Sequence, residues 1–212
     1  MLINPWDRGA DQEWRDWLST RDFGLLAANG TDGGAPVLVP TPFLYPGGDE
    51  VLLHLARPNP VWAAIEANPR LTLAVTDDDA FVPGPWRPPA DTPPEHGVPT
   101  AYYASVHLVG TATIVDDPAE KAALLDLQLA RFQPETPLAP IVPGQAPFGR
   151  MLSGIRGLRL ALTEVRPKFK YDDKKDTGTQ TSVAERLAER GRPRDGGARE
   201  QLLRRRDARS GS

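Results

Sequence analysis

The chain has 212 residues with a formal net charge of −3, 40% hydrophobic and 25% charged residues, and no cysteine. That length supports one well-filled core, and the composition is that of a soluble globular chain. Absent cysteine excludes disulfides and thiolate metal ligands, and the mild negative charge gives no global drive toward nucleic acid.

No apolar run approaches the ~20 residues of a membrane span, and the N-terminal MLINP has neither the basic flank nor the apolar stretch of a signal peptide. Cytoplasm is therefore the default expectation. With 23 prolines and 19 glycines, the chain is rich in turns, as a barrel of short strands requires.

In chain order, residues 11–20 read as a helix with Trp14, Trp17 and Leu18 on one face. Residues 22–29 read as a first strand, followed by a turn at 30–34. A second strand covers 35–44, but Pro40 and Pro42 cannot donate to a ladder and mark an edge or bulged stretch. After a turn at 46–49, residues 51–55 form a third strand. Asn59 suits the N-cap and Pro60 the first position of a short helix to 67.

Residues 71–76 read as a fourth strand. A long loop dense in proline and acid occupies 77–99, the kind of segment that is usually functional or mobile. Residues 100–115 form the longest β-run. Asp117-Pro118-Ala119-Glu120 is a capping box that opens a helix to about Phe132. A second proline-rich loop covers 134–147, a short helix 151–155 and a last strand 158–165. Ser182-x-x-Glu185 reads as a further capping box, opening a helix that stops near Gly191, and Arg199–Arg206 as a short final helix. These elements divide into one domain over 1–191 and a basic, frayed tail over 192–212. The fold class is mostly β with flanking helices: strands fill the middle and helices sit at the ends and crossovers. Strands lacking polar alternation suggest that one face packs on another subunit.

Three segments carry candidate chemistry. In HLARPNPVW (His54–Trp62), a strand end, Arg57 and the start of a capped helix lie together. Free N–H groups at a helix start and a planar guanidinium both suit phosphate; the alternative is an ordinary strand-to-helix turn with a surface arginine. In VPTPF, the irregular backbone at Thr41 and Pro42 can meet the edge of a flat ring, or simply protect an edge strand. In PTAYYASVH, Tyr102 and Tyr103 point to opposite faces, so one can stack on a ligand while the other fills the core. His54 and His107 lie on strands, while His96 falls in the acidic loop. Their spacing fits no zinc motif, although a single histidine suffices for haem iron. The C-terminal arginines alternate with acids, and no helix-turn-helix pattern is present.

These segments, with RPKFKYDDKK (Arg166–Lys175), resemble the PaiB-type family of FMN-binding negative transcriptional regulators, over about Asn4 to Gly191. The resemblance implies an FMN-binding split β-barrel that forms a homodimer with the flavin between subunits. It implies Arg57 and Asn59 on the phosphate, with Thr41 and Pro42 along the ring. His54, Trp62 and Lys170 complete the cofactor-binding set. Tyr103, His107 and Lys168 are the catalytic candidates, Lys168 and Lys170 closing the site and Tyr103 or His107 approaching from the partner chain. Such a protein is a cofactor-dependent regulator or a flavin oxidoreductase. Haem-dependent piperazate synthases, which close the N–N bond of N5-hydroxyornithine, are also similar to this family. On that alternative the cofactor is haem b and His54 its iron ligand.

Overall fold

A computed structural model describes residues 1–136 and 138–210. Position 137 of the expected 134–147 loop and positions 211–212 of the expected tail lie outside the described residues. The elements are α1 (Asp11–Ser19), β1 (Phe23–Ala28), β2 (Val37–Pro42), β3 (Glu50–Ala56), α2 (Val61–Ala67), β4 (Arg70–Val82), β5 (Thr100–Val115), α3 (Pro118–Phe132), β6 (Ile155–Lys170), α4 (Thr177–Arg190) and α5 (Asp195–Ser210). Six strands make one sheet in the order β2-β1-β4-β5-β6-β3. The expected class, mostly β with flanking helices, is the one observed. No helix among the described residues is long and apolar enough to cross a membrane.

The chain divides into two compact units. The larger holds residues 12–75 and 107–166. Here β1 pairs antiparallel with β2 and with β4, and β3 pairs with β6 from Glu50↔Ala161 to Ala56↔Ile155. Pro40 and Pro42 lie on β2, an edge strand of the sheet, where a missing N–H leaves no ladder bond unmade. α1 buries Trp14, Trp17 and Leu18, as their i, i+3, i+4 spacing requires. Leu26, Phe43, Leu53, Ile65, Leu71, Leu73, Leu108 and Leu158 are among the fully buried side chains.

The smaller unit holds 1–11, 76–106 and 167–212. It contains the main departures from the sequence reading. β4 continues through Asp77-Asp78-Asp79 to Val82, in place of the expected loop. Arg194 supplies a partner to the acids, pairing with Asp79 and lying 3.8 Å from Asp77, while the Asp78 backbone carbonyl accepts from the Tyr171 hydroxyl at 2.9 Å. Likewise β6 runs to Lys170 rather than stopping at 165. α4 starts at Thr177, because the Asp176 carboxylate accepts from Thr179 N at 2.8 Å; the expected box at Ser182 lies inside the helix. Gly191, at φ +61°, ends the helix in the left-handed conformation. The expected short helix at Arg199–Arg206 is the longer α5, which takes in most of the expected tail and buries Asp195, Ala198 and Leu202.

The remainder of the long acidic loop is tied down. Gly84 and Gly97 approach so closely that a Cβ on Gly97 would lie 1.8 Å from Gly84 O. Arg87 donates to both oxygens of Asp172 (2.6 and 2.7 Å) and to Val98 O (2.6 Å). Tyr102, fully buried, donates its hydroxyl to Asp172 Oδ2 at 3.0 Å. Burial and the Asp172 charge push the Tyr102 hydroxyl far above the ordinary tyrosine range. Asp172 sits at φ +58°, and its carbonyl accepts from Gln180 Nε2, so loop, β5 and α4 meet on one residue.

This ion pair is almost fully buried, and breaking such a pair leaves an uncompensated charge. Arg87→Ala is expected to lower the unfolding free energy by about 3–5 kcal/mol, and Tyr102→Phe by about 1 kcal/mol. Urea unfolding followed by fluorescence checks both; equal losses would contradict the charge argument.

Candidate functional site

In the larger unit, the Arg57 corner is built where β3, β5 and β6 end or begin. The Arg57 backbone N–H donates to Gly154 O at 2.8 Å. Its guanidinium donates from Nε to Ser153 O (2.8 Å) and from Nη2 to Asp116 Oδ1 (3.0 Å) and Ile155 O (3.4 Å). Nη1 makes no hydrogen bond among the described residues, and the side chain is 46% exposed. Asp116 also receives Arg156, whose Nη2 donates to Oδ2 at 2.7 Å while Nη1 reaches Glu66 at 2.7 Å. Hydrogen bonds from Arg156, reinforced by Arg57, hold the Asp116 carboxyl below the usual carboxylate range. Lys121, almost fully buried, donates to Leu152 O at 2.6 Å and Ile155 O at 3.3 Å. Burial, then the Arg57 charge, pushes its ammonium below the usual lysine range.

The first two N–H groups of α2 are already used. Val61 N donates to Asn59 Oδ1 (3.0 Å), Trp62 N to Asn59 O (3.3 Å) and Asn59 N to Ala56 O (3.0 Å). The Asn59 side chain thus closes its own helix, and the corner's anion-binding capacity rests on guanidinium groups. Trp62 is buried, with Nε1 donating to Ala56 O at 2.9 Å and the Arg156 guanidinium 5.1 Å from its ring centroid. Thr41 is buried and donates to Pro42 O at 3.0 Å, while Pro42 is exposed. The amide oxygen of the fully buried Gln128 accepts from His54 Nδ1 at 2.6 Å, and Gln128 Nε2 has no partner. His107 is half-buried; burial and the Arg166 charge push its imidazole below the ordinary histidine value.

In the smaller unit, Tyr103, Lys168 and Lys170 come together. The two ammonium nitrogens lie 5.4 and 5.8 Å from the Tyr103 ring centroid, within cation–π range. Lys168 is buried, donates to Leu2 O at 2.9 Å and lies 4.0 Å from Asp7. Lys170 donates to Thr100 Oγ1 at 2.9 Å. The adjacent tyrosines divide as strand alternation requires, Tyr102 inward and Tyr103 half-exposed. The C-terminal arginines are occupied by acids: Arg190 with Asp195, Arg194 with Asp79, Arg205 and Arg209 with Asp173. No cluster able to hold a metal ion occurs among the described residues.

Asp116, Arg156 and Gln128 are the residues that sequence reasoning missed. Asp116 and Arg156 meet across 40 positions, with no local signal joining them.

Comparison with known proteins then decides the family. The model described as "Putative FMN-binding domain" matches residues 2–164. The chain belongs to that family. Its solved relatives share the fold. The FAD and heme binding protein from Mycobacterium smegmatis has a TM-score of 0.59 at 22% identity, over 83% of this chain and 78% of that one. The flavocytochrome Anf3 from Azotobacter vinelandii has a TM-score of 0.58 at 20% identity, over 83% of this chain and 75% of that one. No curated protein matches. The fold of this FMN-binding-domain member is thus the split β-barrel, and membership supports FMN as its cofactor. The donor set fits: Arg57 offers a fixed, half-exposed guanidinium with an unused Nη1, suited to phosphate oxygens.

The His107 shift fixes a pH dependence. A histidine whose folded pKa lies below its unfolded value near 6.5 binds fewer protons when folded. Its stabilising contribution is present above pH 6.5 and declines as pH falls below it. His107→Gln is expected to flatten the melting-temperature profile between about pH 5 and 7. An unchanged slope in thermal melts would contradict this.

Proposed function

We propose that this chain is a small FMN-binding flavoprotein of the PaiB type, holding the flavin phosphate at Arg57 and working as a homodimer. The half-exposed guanidinium of Arg57, fixed by carbonyls with Nη1 unused, carries the reading. Bound FMN supplies one- and two-electron redox chemistry. Everything else falls to the chain's own side chains. Arg57 binds and orients the phosphate, while Thr41 and Pro42 offer backbone to the ring edge. His107, neutral near pH 7, can accept a proton. The paired ammonium groups of Lys168 and Lys170 beside Tyr103 suit the anionic end of a small substrate or effector.

The homodimer is supported by an exposed apolar sheet face. Phe23 (58% exposed), Leu25 (37%) and Leu38 (56%) lie among Pro40 and Pro42, with Phe23 opposite Pro42 and Leu25 opposite Pro40. Contiguous apolar surface of this kind marks an interface. The prolines deny edge-to-edge pairing, so association is face to face. A regulatory role fits a protein that binds a redox cofactor. Any DNA contact lies outside the C-terminal arginines already paired with acids.

A second reading, haem b at His54, rests on the Gln128 bond. Fixing one imidazole nitrogen by a hydrogen bond is how proteins orient a metal-ligating histidine.

The absorbance spectrum of the purified protein separates the readings. Flavin bands near saturation with added FMN are expected. A Soret band lost in His54→Ala would favour haem instead. Arg57→Ala is expected to weaken FMN binding by ~1.5–3 kcal/mol with riboflavin unaffected; unchanged FMN affinity overturns the phosphate assignment. Leu25→Lys is expected to yield monomers in size-exclusion chromatography; a wild-type elution volume would remove the interface.

A further inference from the structure

The surroundings of Arg57 hold a carboxylate at the point where an anion's partners converge. Asp116 Oδ1 accepts from Arg57 Nη2 at 3.0 Å and from Arg156 Nε at 3.1 Å; Oδ2 accepts from Arg156 Nε at 3.1 Å and Nη2 at 2.7 Å. One carboxylate therefore bridges two guanidinium groups that would otherwise repel. Its side chain is 46% exposed, so it is a surface bridge and not a core fixture. The Arg57 guanidinium does not depend on it for position: the Ser153 and Ile155 carbonyls hold the same group. Arg156 is likewise held without it, by Glu66 at 2.7 Å and by the Trp62 ring.

From this geometry we infer that Asp116 is an internal competitor for the phosphate, occupying the guanidinium edges that a phosphate ester would use. The inference rests on the Arg57 phosphate reading and adds a device that sets its affinity. Arg57 is pre-placed by neutral carbonyls, and Arg156 by the Trp62 ring and the Glu66 carboxylate. Of the two carboxylates on these arginines, Asp116 is the one bonded to both, Glu66 touching Arg156 alone. A phosphate ester, with more negative charge and three acceptor oxygens, replaces it on Arg57 and Arg156. Asp116 swings into solvent, to which it is already half open. Displacing Asp116 leaves the two guanidinium groups to the anion, with Glu66 still on Arg156 and the buried Lys121 ammonium still on the Leu152 and Ile155 carbonyls. Asp116 therefore offsets the charge of the two guanidinium groups and makes phosphate binding weaker and more readily reversible than the arginines would give without it. Phosphate-free flavins, which never touch the corner, are indifferent to it.

The test is titration of the full chain with FMN and with riboflavin, followed by flavin fluorescence, in wild type, Asp116→Asn and Arg57→Ala, with circular dichroism confirming the fold. Asp116→Asn is expected to bind FMN at least about fivefold tighter, the scale of one charge removed at contact distance in water, with riboflavin unchanged. Should asparagine not fold, Asp116→Ser carries the same expectation. Equal or weaker FMN binding in the variant, while Arg57→Ala still weakens it, overturns the competitor and leaves the phosphate site standing. Tighter binding of both flavins overturns it too, because the effect would not act through phosphate. FMN binding untouched by Arg57→Ala removes the phosphate reading and this inference together.

Discussion

The candidate site depends on a guanidinium group held in place by backbone carbonyls. Arg57 follows β3, and its partners Ser153 and Ile155 flank the entry to β6, the strand that pairs with β3 along its whole length. The register between those strands therefore fixes the guanidinium before any ligand arrives. A slip of one residue would send every side chain of β3 to the other face. It would move Leu53 onto the face that Leu52 occupies and carry His54 away from Gln128. The same pairing that buries Val51, Leu52 and Leu53 thus also builds the corner, so core packing and site geometry are one constraint.

Much of the fold was legible in the sequence, because the signals that specify it are local. The i, i+3, i+4 spacing of Trp14, Trp17 and Leu18 in α1 and the Asp117 cap of α3 each lie within a few residues. Two of the departures share one cause. Asp77–Asp79 looks like a loop until Arg194 supplies a partner from far along the chain. The arginine-rich C-terminus looks like a solvated tail until Asp173 pairs with Arg205 and Arg209. Buried or half-buried charge is stable only when paired, and pairing over such separations leaves no trace in a local window.

The site divides in the same way. Arg57, in the larger unit, is a candidate from its residue type beside a helix start, whereas Lys168 and Lys170, in the smaller unit, are candidates only through the family resemblance. What surrounds each is not legible in the sequence. Asn59 reads as a phosphate contact, yet its side-chain oxygen closes the first turn of α2. An asparagine there serves the helix and a ligand equally well on paper, and only the direction of its amide separates the two. The family match also ends at residue 164. The lysine pair and the Asp172 end of the Arg87–Asp172 anchor fall beyond that boundary.

The contrast between the two charged centres shows how burial assigns their tasks. Arg87 and Asp172 are nearly sealed from water, and Tyr102 completes the carboxylate's bonding. Exchange of a partner there would strand a charge in a low-dielectric interior, so the pair can only be structural. Asp116 and Arg57 are each 46% exposed. Water screens their attraction and can take up either group when they part, so the bond is weak enough to exchange for a better anion. The same two residue types, arginine and aspartate, therefore anchor a loop where water is excluded and form an exchangeable contact where it is not.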